Sequence, residues 1–187
     1  MMSLSPDQSL FFNLLRADGP APGLEERLRL FGQFVGSWNS ICHSYLLDGS
    51  QQTQSGEIHF AWVLGGRAVQ DLWISPARDE QRRANTPFDE YGSTIRFYDE
   101  AIDAWRVTWI TPLNRRVATL TARAIGDEIV LAGVDTTSAP FRVFRWIFSD
   151  ITPTTFHWRN LISQDGGHTW RIQEELDARR MERTPDA

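Results

Sequence analysis

Between about residues 37 and 178, apolar and polar side chains alternate with a period of two, in short runs broken by Gly, Asn, Asp and Pro. That period marks half-buried strands, and the regular breaks are those of an all-β barrel or sandwich. Ten strands are predicted, at about 37–47, 55–64, 67–75, 91–98, 104–111, 116–125, 128–136, 141–149, 154–164 and 168–178. Several consecutive pairs have hairpin-length connections, so an antiparallel meander is the economical topology. Upstream the period lengthens. Ser5 can cap a helix with Pro6 at its first position, and Leu10, Phe11, Leu14 and Leu15 share a face before Gly19-Pro20. A second helix is predicted from Leu24, with Leu24, Leu28 and Phe31 on one stripe and Gly32 or Gly36 ending it. The chain thus divides into a helical segment at 1–35 packing on the barrel, a barrel at 36–178 and a charged tail at 179–187. The longest connection, 76–90, is rich in Arg, Asp and Glu and reads as a solvated loop or a lid.

Hairpin turns tell which residues share a face, because directly paired residues point to the same side. A two-residue Gly65-Gly66 turn pairs Trp62 with Val69, Phe60 with Asp71 and Ile58 with Trp73. Gly126-Asp127 likewise pairs Ala124 with Ile129, Ala122 with Leu131, Leu120 with Gly133 and Ala118 with Asp135. A three-residue loop at Asp165-Gly166-Gly167 pairs Asn160 with Ile172, Trp158 with Glu174 and Phe156 with Leu176. Phe144, Trp146 and Phe148 point inward against Arg145, and Ile95, Phe97, Trp105, Val107 and Trp109 are expected on one face against Arg96 and Arg106.

Eight Trp, eleven Phe and three Tyr exceed what a thin two-sheet core needs, and a closed barrel around a cavity accommodates them. The polar groups left on the inner face are Asp71, Asp135, Asn160 and Glu174. A carboxylate in apolar surroundings is costly unless protonated, paired or functional, so these are candidate site residues.

Composition removes whole chemistries. All 19 cationic residues are arginine, which excludes lysine Schiff bases and the GxxxxGK[ST] phosphate loop. The single cysteine, Cys42, excludes an intrachain disulfide and a thiolate zinc cage. A net charge of −5 argues against nucleic-acid binding. No apolar run approaches the length of a membrane span and the N-terminus has no signal-peptide pattern, so a cytoplasmic protein is expected. The residues 163–170 match the SxDxGxTW pattern of the sialidase Asp-box, but once only, which favours a rigid turn with Trp170 behind it. His59 and His157 face outward, His168 sits at a turn, and His43 has no metal-spaced mate, so no metal is expected. Cys42 is expected to be a buried, inert thiol.

Gly36-Ser37-Trp38 at the first strand, Leu64-Gly65-Gly66-Arg67, Phe97-Tyr98-Asp99 before Trp105, and the 165–170 hairpin together resemble calycin-type, lipocalin-like barrels. The similarity spans roughly 34–178 and is nearest to bacterial relatives of the nitrobindin kind. It implies a closed antiparallel barrel plugged by Trp38, stacked on Arg179 or Arg180, and small-molecule binding. It does not extend to haem: the GxWxGxG opening is replaced by Gly36-Ser37-Trp38-Asn39-Ser40-Ile41-Cys42, and the last strand offers no inward histidine.

The expected function is binding of a small, largely apolar, ring-containing molecule by Phe60, Trp62, Trp73, Phe97, Trp105, Trp109, Asp135, Phe144, Trp146 and Trp158, with no cofactor. The alternative is an acid–base isomerase, cyclase or dehydratase using Asp71 and Glu174 for proton transfer and Asn160 as orienting donor. On the outer face Val117, Val130, Ala132, Val134 and Ile147 form an apolar patch. Either the N-terminal helices cover it or it is a two-fold homodimer contact.

Overall fold

The computed structural model describes residues 5–135 and 142–182. Ten antiparallel strands form the barrel: β2 (Gly36–Tyr45), β3 (Gln51–Val63), β4 (Ala68–Ser75), β5 (Glu90–Asp99), β6 (Ala104–Thr111), β7 (Arg116–Ile125), β8 (Glu128–Asp135), β9 (Arg142–Ser149), β10 (Thr155–Ser163) and β11 (Arg171–Arg180). Each pairs with its successor and β11 pairs with β2, so no edge is left open. Before them come α1 (Pro6–Leu15), the two-residue β1 (Arg16–Ala17) against the end of β3, and α2 (Glu25–Gly32). The closed ten-strand meander with short N-terminal helices is as expected. The expected strand ends at 136 and 141, and the last five residues of the tail, lie outside the described residues.

Two turns set the register as their glycines dictate. Leu64, Gly65 and Gly66 take positive φ, and Phe60 pairs with Asp71 and Trp62 with Val69. Gly126, also at positive φ, pairs Ala122 with Leu131. The β10–β11 hairpin departs from expectation by two residues, with Trp158 opposite Leu176 and Asn160 opposite Glu174. Half of the shift comes from a seven-residue loop, 164–170, and half from a bulge after Asn160. The loop is long because the Asp165 carboxylate gathers the Ser163 hydroxyl, the Thr169 hydroxyl and the backbone N–H groups of Thr169 and His168, which together hold its pKa well below the usual range. Trp170 closes the turn from behind, with its Nε1 on the Gly167 carbonyl.

The β5 face is corrected outright. Thr94, Arg96 and Tyr98 pair with Trp109, Val107 and Trp105 and point inward, while Phe97 is on the outer face and 46% exposed. Phe97 therefore cannot line the interior. Within 76–90 lies a helix, α3 (Arg78–Ala84), anchored on the wall. Arg78 forks onto Glu57 through its backbone N–H, Nε and Nη2. Burial alone would raise the Glu57 pKa, but the hydrogen bonds from Arg78 and His59 outweigh it and hold the carboxyl near 2.

One end of the barrel is filled. Helix α2 does not lie on the outside; it inserts Leu28 and Phe31, and the turn after it inserts Phe34, all at most 1% exposed. Phe34 packs on Phe60, Phe148 and Phe156 at 5.1–5.5 Å between ring centres, and Phe31 meets Trp105 edge-on at 4.9 Å. Gly32 leaves room for the Trp62 ring to lie against the helix, where a Cβ would clash. Trp38 is the plug the resemblance implied, fully buried, with Nε1 on the Phe34 carbonyl and the Arg180 guanidinium 4.1 Å above its ring. Arg180 also donates to the carbonyls of Gln33, Val35 and Pro153, so the end of the last strand clamps the plug.

Helix α1 has Ser5 and Gln8 in a capping box, as the Ser-Pro start predicts, but buries no side chain. Nor is the outer patch under a helix: Val117 and Val134 are 72% and 55% exposed, which overturns burial beneath the N-terminal segment. No helix among the described residues is long and apolar enough to cross a membrane.

Candidate functional site

The other end is hollow. A cavity of about 1010 Å³ runs from the rim down to Arg96 and Phe148, lined by residues of all ten barrel strands. The strand directions explain the asymmetry. The loops 46–50, 76–89, 112–115 and 164–170 all lie at this end, and none sends an aromatic plug inward as α2 does at the other.

Four tryptophans ring the cavity. Trp73 meets Trp158 edge-on at 4.9 Å and Trp109 at 6.2 Å, and Trp146 lies 6.2 Å from Trp109 and 5.9 Å from Trp158. The four residues come from β4, β10, β6 and β9, each at an inward parity position, and together they form a closed belt of π faces and edges. Gly92, opposite Trp73 on β5, makes space for the Trp109 ring, which a Cβ would displace. Trp73 and Trp146 are half-buried while Trp158 and Trp109 are at most 9% exposed.

Below the belt lies an ion pair. Asp71 accepts the Thr94 backbone N–H at 2.9 Å with one oxygen and the Arg96 Nη2 with the other. The Arg96 guanidinium stacks 4.7 Å from the Phe31 ring and 5.3 Å from Phe60, so it joins the plug to the cavity floor. Its Nε and Nη1 are buried without a hydrogen-bond partner among the described residues. Cation–π attraction is what compensates them. Arg96 was missed by pattern, since Ile95 and Phe97 draw the apolar face to the wrong side. The signal that could have found it is Asp71, a carboxylate on an apolar face in need of a cation.

On the opposite wall, Glu174 and Asn160 are cross-strand neighbours. The Cys42 thiol donates to Glu174 Oε1 at 3.0 Å. Burial raises the Glu174 pKa above the usual carboxylate range, and burial, followed by the charge of Glu174, raises that of Cys42. Asn160 Oδ1 is buried and has no partner among the described residues. At the rim stand Arg116, Arg142, Arg171, Asp89 and Glu90.

Of the residues anticipated from sequence, Trp73, Trp109, Trp146, Trp158, Asp71, Asn160 and Glu174 line this one cavity. Phe60, Trp62 and Trp105 belong instead to the packed end, because α2 fills the space they face. Phe144 stands behind Trp146 at 5.9 Å against Gly133, and Asp135 lies at the end of β8; neither is among the lining residues. Asp71 is held by Arg96 and is not a free acid. Among the described residues no group of three His, Cys, Asp or Glu side chains is placed to hold a metal ion.

No protein-family model and no curated protein sequence matches the chain. Solved structures do. The S-type phycobiliprotein lyase CPES from Guillardia theta aligns with a TM-score of 0.56 at 13% identity, covering 87% of this chain and 100% of that one. Rv2717c from M. tuberculosis aligns equally well, at 13% identity and a TM-score of 0.56, over 87% of this chain and 99% of that one. The fold is that of the lipocalin-like barrels. At this identity the likeness speaks for the architecture, and function has to be argued from the cavity.

Proposed function

We propose that this lipocalin-like barrel binds a small, largely apolar, ring-containing molecule in its open half. The belt of Trp73, Trp109, Trp146 and Trp158 around a cavity of about 1010 Å³ carries the reading. Flat rings find offset and edge-on partners on every side there, and an aliphatic chain gains only area. That one neighbour in fold is a phycobiliprotein lyase agrees with a barrel used for a small molecule. Titration followed by intrinsic tryptophan emission tests it: polycyclic aromatic and terpenoid probes quench or shift the emission, with weaker responses to saturated fatty acids. Silence toward every class overturns the proposal.

A second reading, acid–base catalysis on such a molecule, is favoured by Glu174, a carboxyl whose pKa is raised by burial inside the same cavity as the belt. Glu174 would move the proton and Asn160 orient the substrate, with Asp71 confined to its pair with Arg96. Conversion of a bound ring compound that Glu174→Gln abolishes, without loss of binding, would establish it. We also propose a homodimer through Val117, Val130, Ala132, Val134 and Ile147, supported by the exposure of Val117 and Val134. Sedimentation equilibrium at micromolar concentration decides between a dimer and a single 21.4 kDa chain.

A further inference from the structure

The charges around the cavity are not equally occupied. Every acidic residue lining it already accepts a hydrogen bond. Asp71 holds Arg96 and the Thr94 N–H, Glu174 takes the Cys42 thiol, and Asp89 accepts Gln54 Nε2 at 2.8 Å. Glu90 has the Thr111 hydroxyl on one oxygen and Asn114 Nδ2 on the other at 3.0 Å. The three arginines at the rim are the reverse. Arg116 and Arg142 have no hydrogen-bond or ion-pair partner among the described residues, and Arg171 reaches only the carbonyls of Tyr45 and Ile172, at 3.2 and 3.4 Å. Arg116 lies within electrostatic reach of Glu174. Among the described residues six other guanidiniums, those of Arg29, Arg78, Arg82, Arg106 and Arg159 and of Arg96 at the cavity floor, are tied to carboxylates.

These three arginines come from the starts of β7, β9 and β11, alternate strands at the open end, and all three line the one cavity. In a chain of net charge −5, the three guanidiniums at the rim outnumber the two carboxylates there, Asp89 and Glu90, which is a local inversion of sign. Such an inversion at a cleft draws anions and repels cations, and a guanidinium offers paired donors that match a carboxylate, sulfonate or phosphate.

We propose that the ligand is an aromatic anion, its ring system seated among Trp73, Trp109, Trp146 and Trp158 and its acidic group held at the rim by Arg116, Arg142 and Arg171. This deepens the binding function proposed above and rests on it. The belt selects the ring and the rim selects the charge. A neutral ring of the same shape then still enters, but without the rim contacts.

The matched pair 2-naphthylacetate and 2-naphthylacetamide separates the two parts, since they share a ring and differ in charge. Titrated by tryptophan emission, the acid binds about tenfold more tightly than the amide at low salt, and the margin shrinks at high salt. Each of Arg116→Gln, Arg142→Gln and Arg171→Gln weakens the acid about two- to fivefold, the range of exposed ion pairs, and leaves the amide unchanged. All three side chains are exposed, so the variants fold, and Arg67→Gln at the closed end changes neither probe. Equal affinity for acid and amide, or equal losses for both in the rim variants, overturns the proposal and leaves ring binding standing. Failure of both probes to bind overturns ring binding as well.

Discussion

The two halves of the barrel are built from the same material and end in opposite states. Around the closed end Phe60, Trp105, Phe148 and Phe156 point inward, and around the open end Trp73, Trp109, Trp146 and Trp158 do the same. What differs is a third party. Phe31 of α2 and Phe34 of the turn after it enter the closed end and convert its ring of aromatics into a core, whereas the described loops at the other rim contribute no such side chain. An inward aromatic is therefore ambiguous by itself; whether it is core or ligand wall is decided by what the connections at its end of the barrel insert.

The largest effects follow from removing that third party. Truncating Phe31 and Phe34 together to alanine is expected to cost at least about 5 kcal/mol, because two fully buried rings leave a cavity with no means of collapse. Trp73→Ala, which removes a half-buried ring already facing a cavity, costs about 1–2 kcal/mol. Urea unfolding of the two variants checks the contrast, and similar losses would mean that the belt is packed as tightly as the plug.

The boundary between the halves comes next. Asp71→Ala strands the Arg96 guanidinium in an apolar site and is expected to cost about 3–5 kcal/mol, while Asp71→Leu combined with Arg96→Met recovers most of that loss. A double variant as unstable as the single one would show that the pair does more than satisfy itself.

Glu174 sharpens the comparison by pH. Burial raises its folded-state pKa, so the native state holds the proton more tightly than the unfolded chain. The contribution to stability is complete below the unfolded carboxylate pKa and is lost as pH rises through the folded value. Glu174→Gln, which cannot ionise, is therefore more stable than the parent at neutral pH, and the difference disappears in acid. Glu57 behaves in the opposite sense: its lowered pKa, near 2, supplies stability that is lost as pH falls below the usual carboxylate range. Thermal unfolding of Glu174→Gln and Glu57→Gln from acid to neutral pH separates the two signs.

Much of this architecture is legible in the sequence because it is local. The period-two runs locate all ten strands, and Gly65-Gly66 and Gly126-Asp127 set their registers, since a two-residue glycine turn admits few alternatives. The failures are where a distant partner decides. Arg96 is polar and was expected outside, yet it points inward because Asp71, 25 residues earlier, needs it. Phe97 was drawn inward by its hydrophobicity, but the pairing of Thr94 with Trp109 and Tyr98 with Trp105 leaves it outside. The Phe31 stripe was legible as an apolar helix face, and nothing local shows that the face enters a barrel mouth instead of lying on a sheet. Trp158, Asn160 and Glu174 still face the cavity because a two-residue register shift between β10 and β11 preserves parity.

The central claim, that one half of the barrel is a ring-binding site and the other a core, is tested most directly by fluorine NMR of protein labelled with 5-fluorotryptophan. The eight tryptophans give eight resonances. Addition of 2-naphthylacetate is predicted to move those of Trp73, Trp109, Trp146 and Trp158 and to leave those of Trp38, Trp62 and Trp105, at the closed end, in place. Eight unmoved resonances, or movement confined to the second set, would contradict the account.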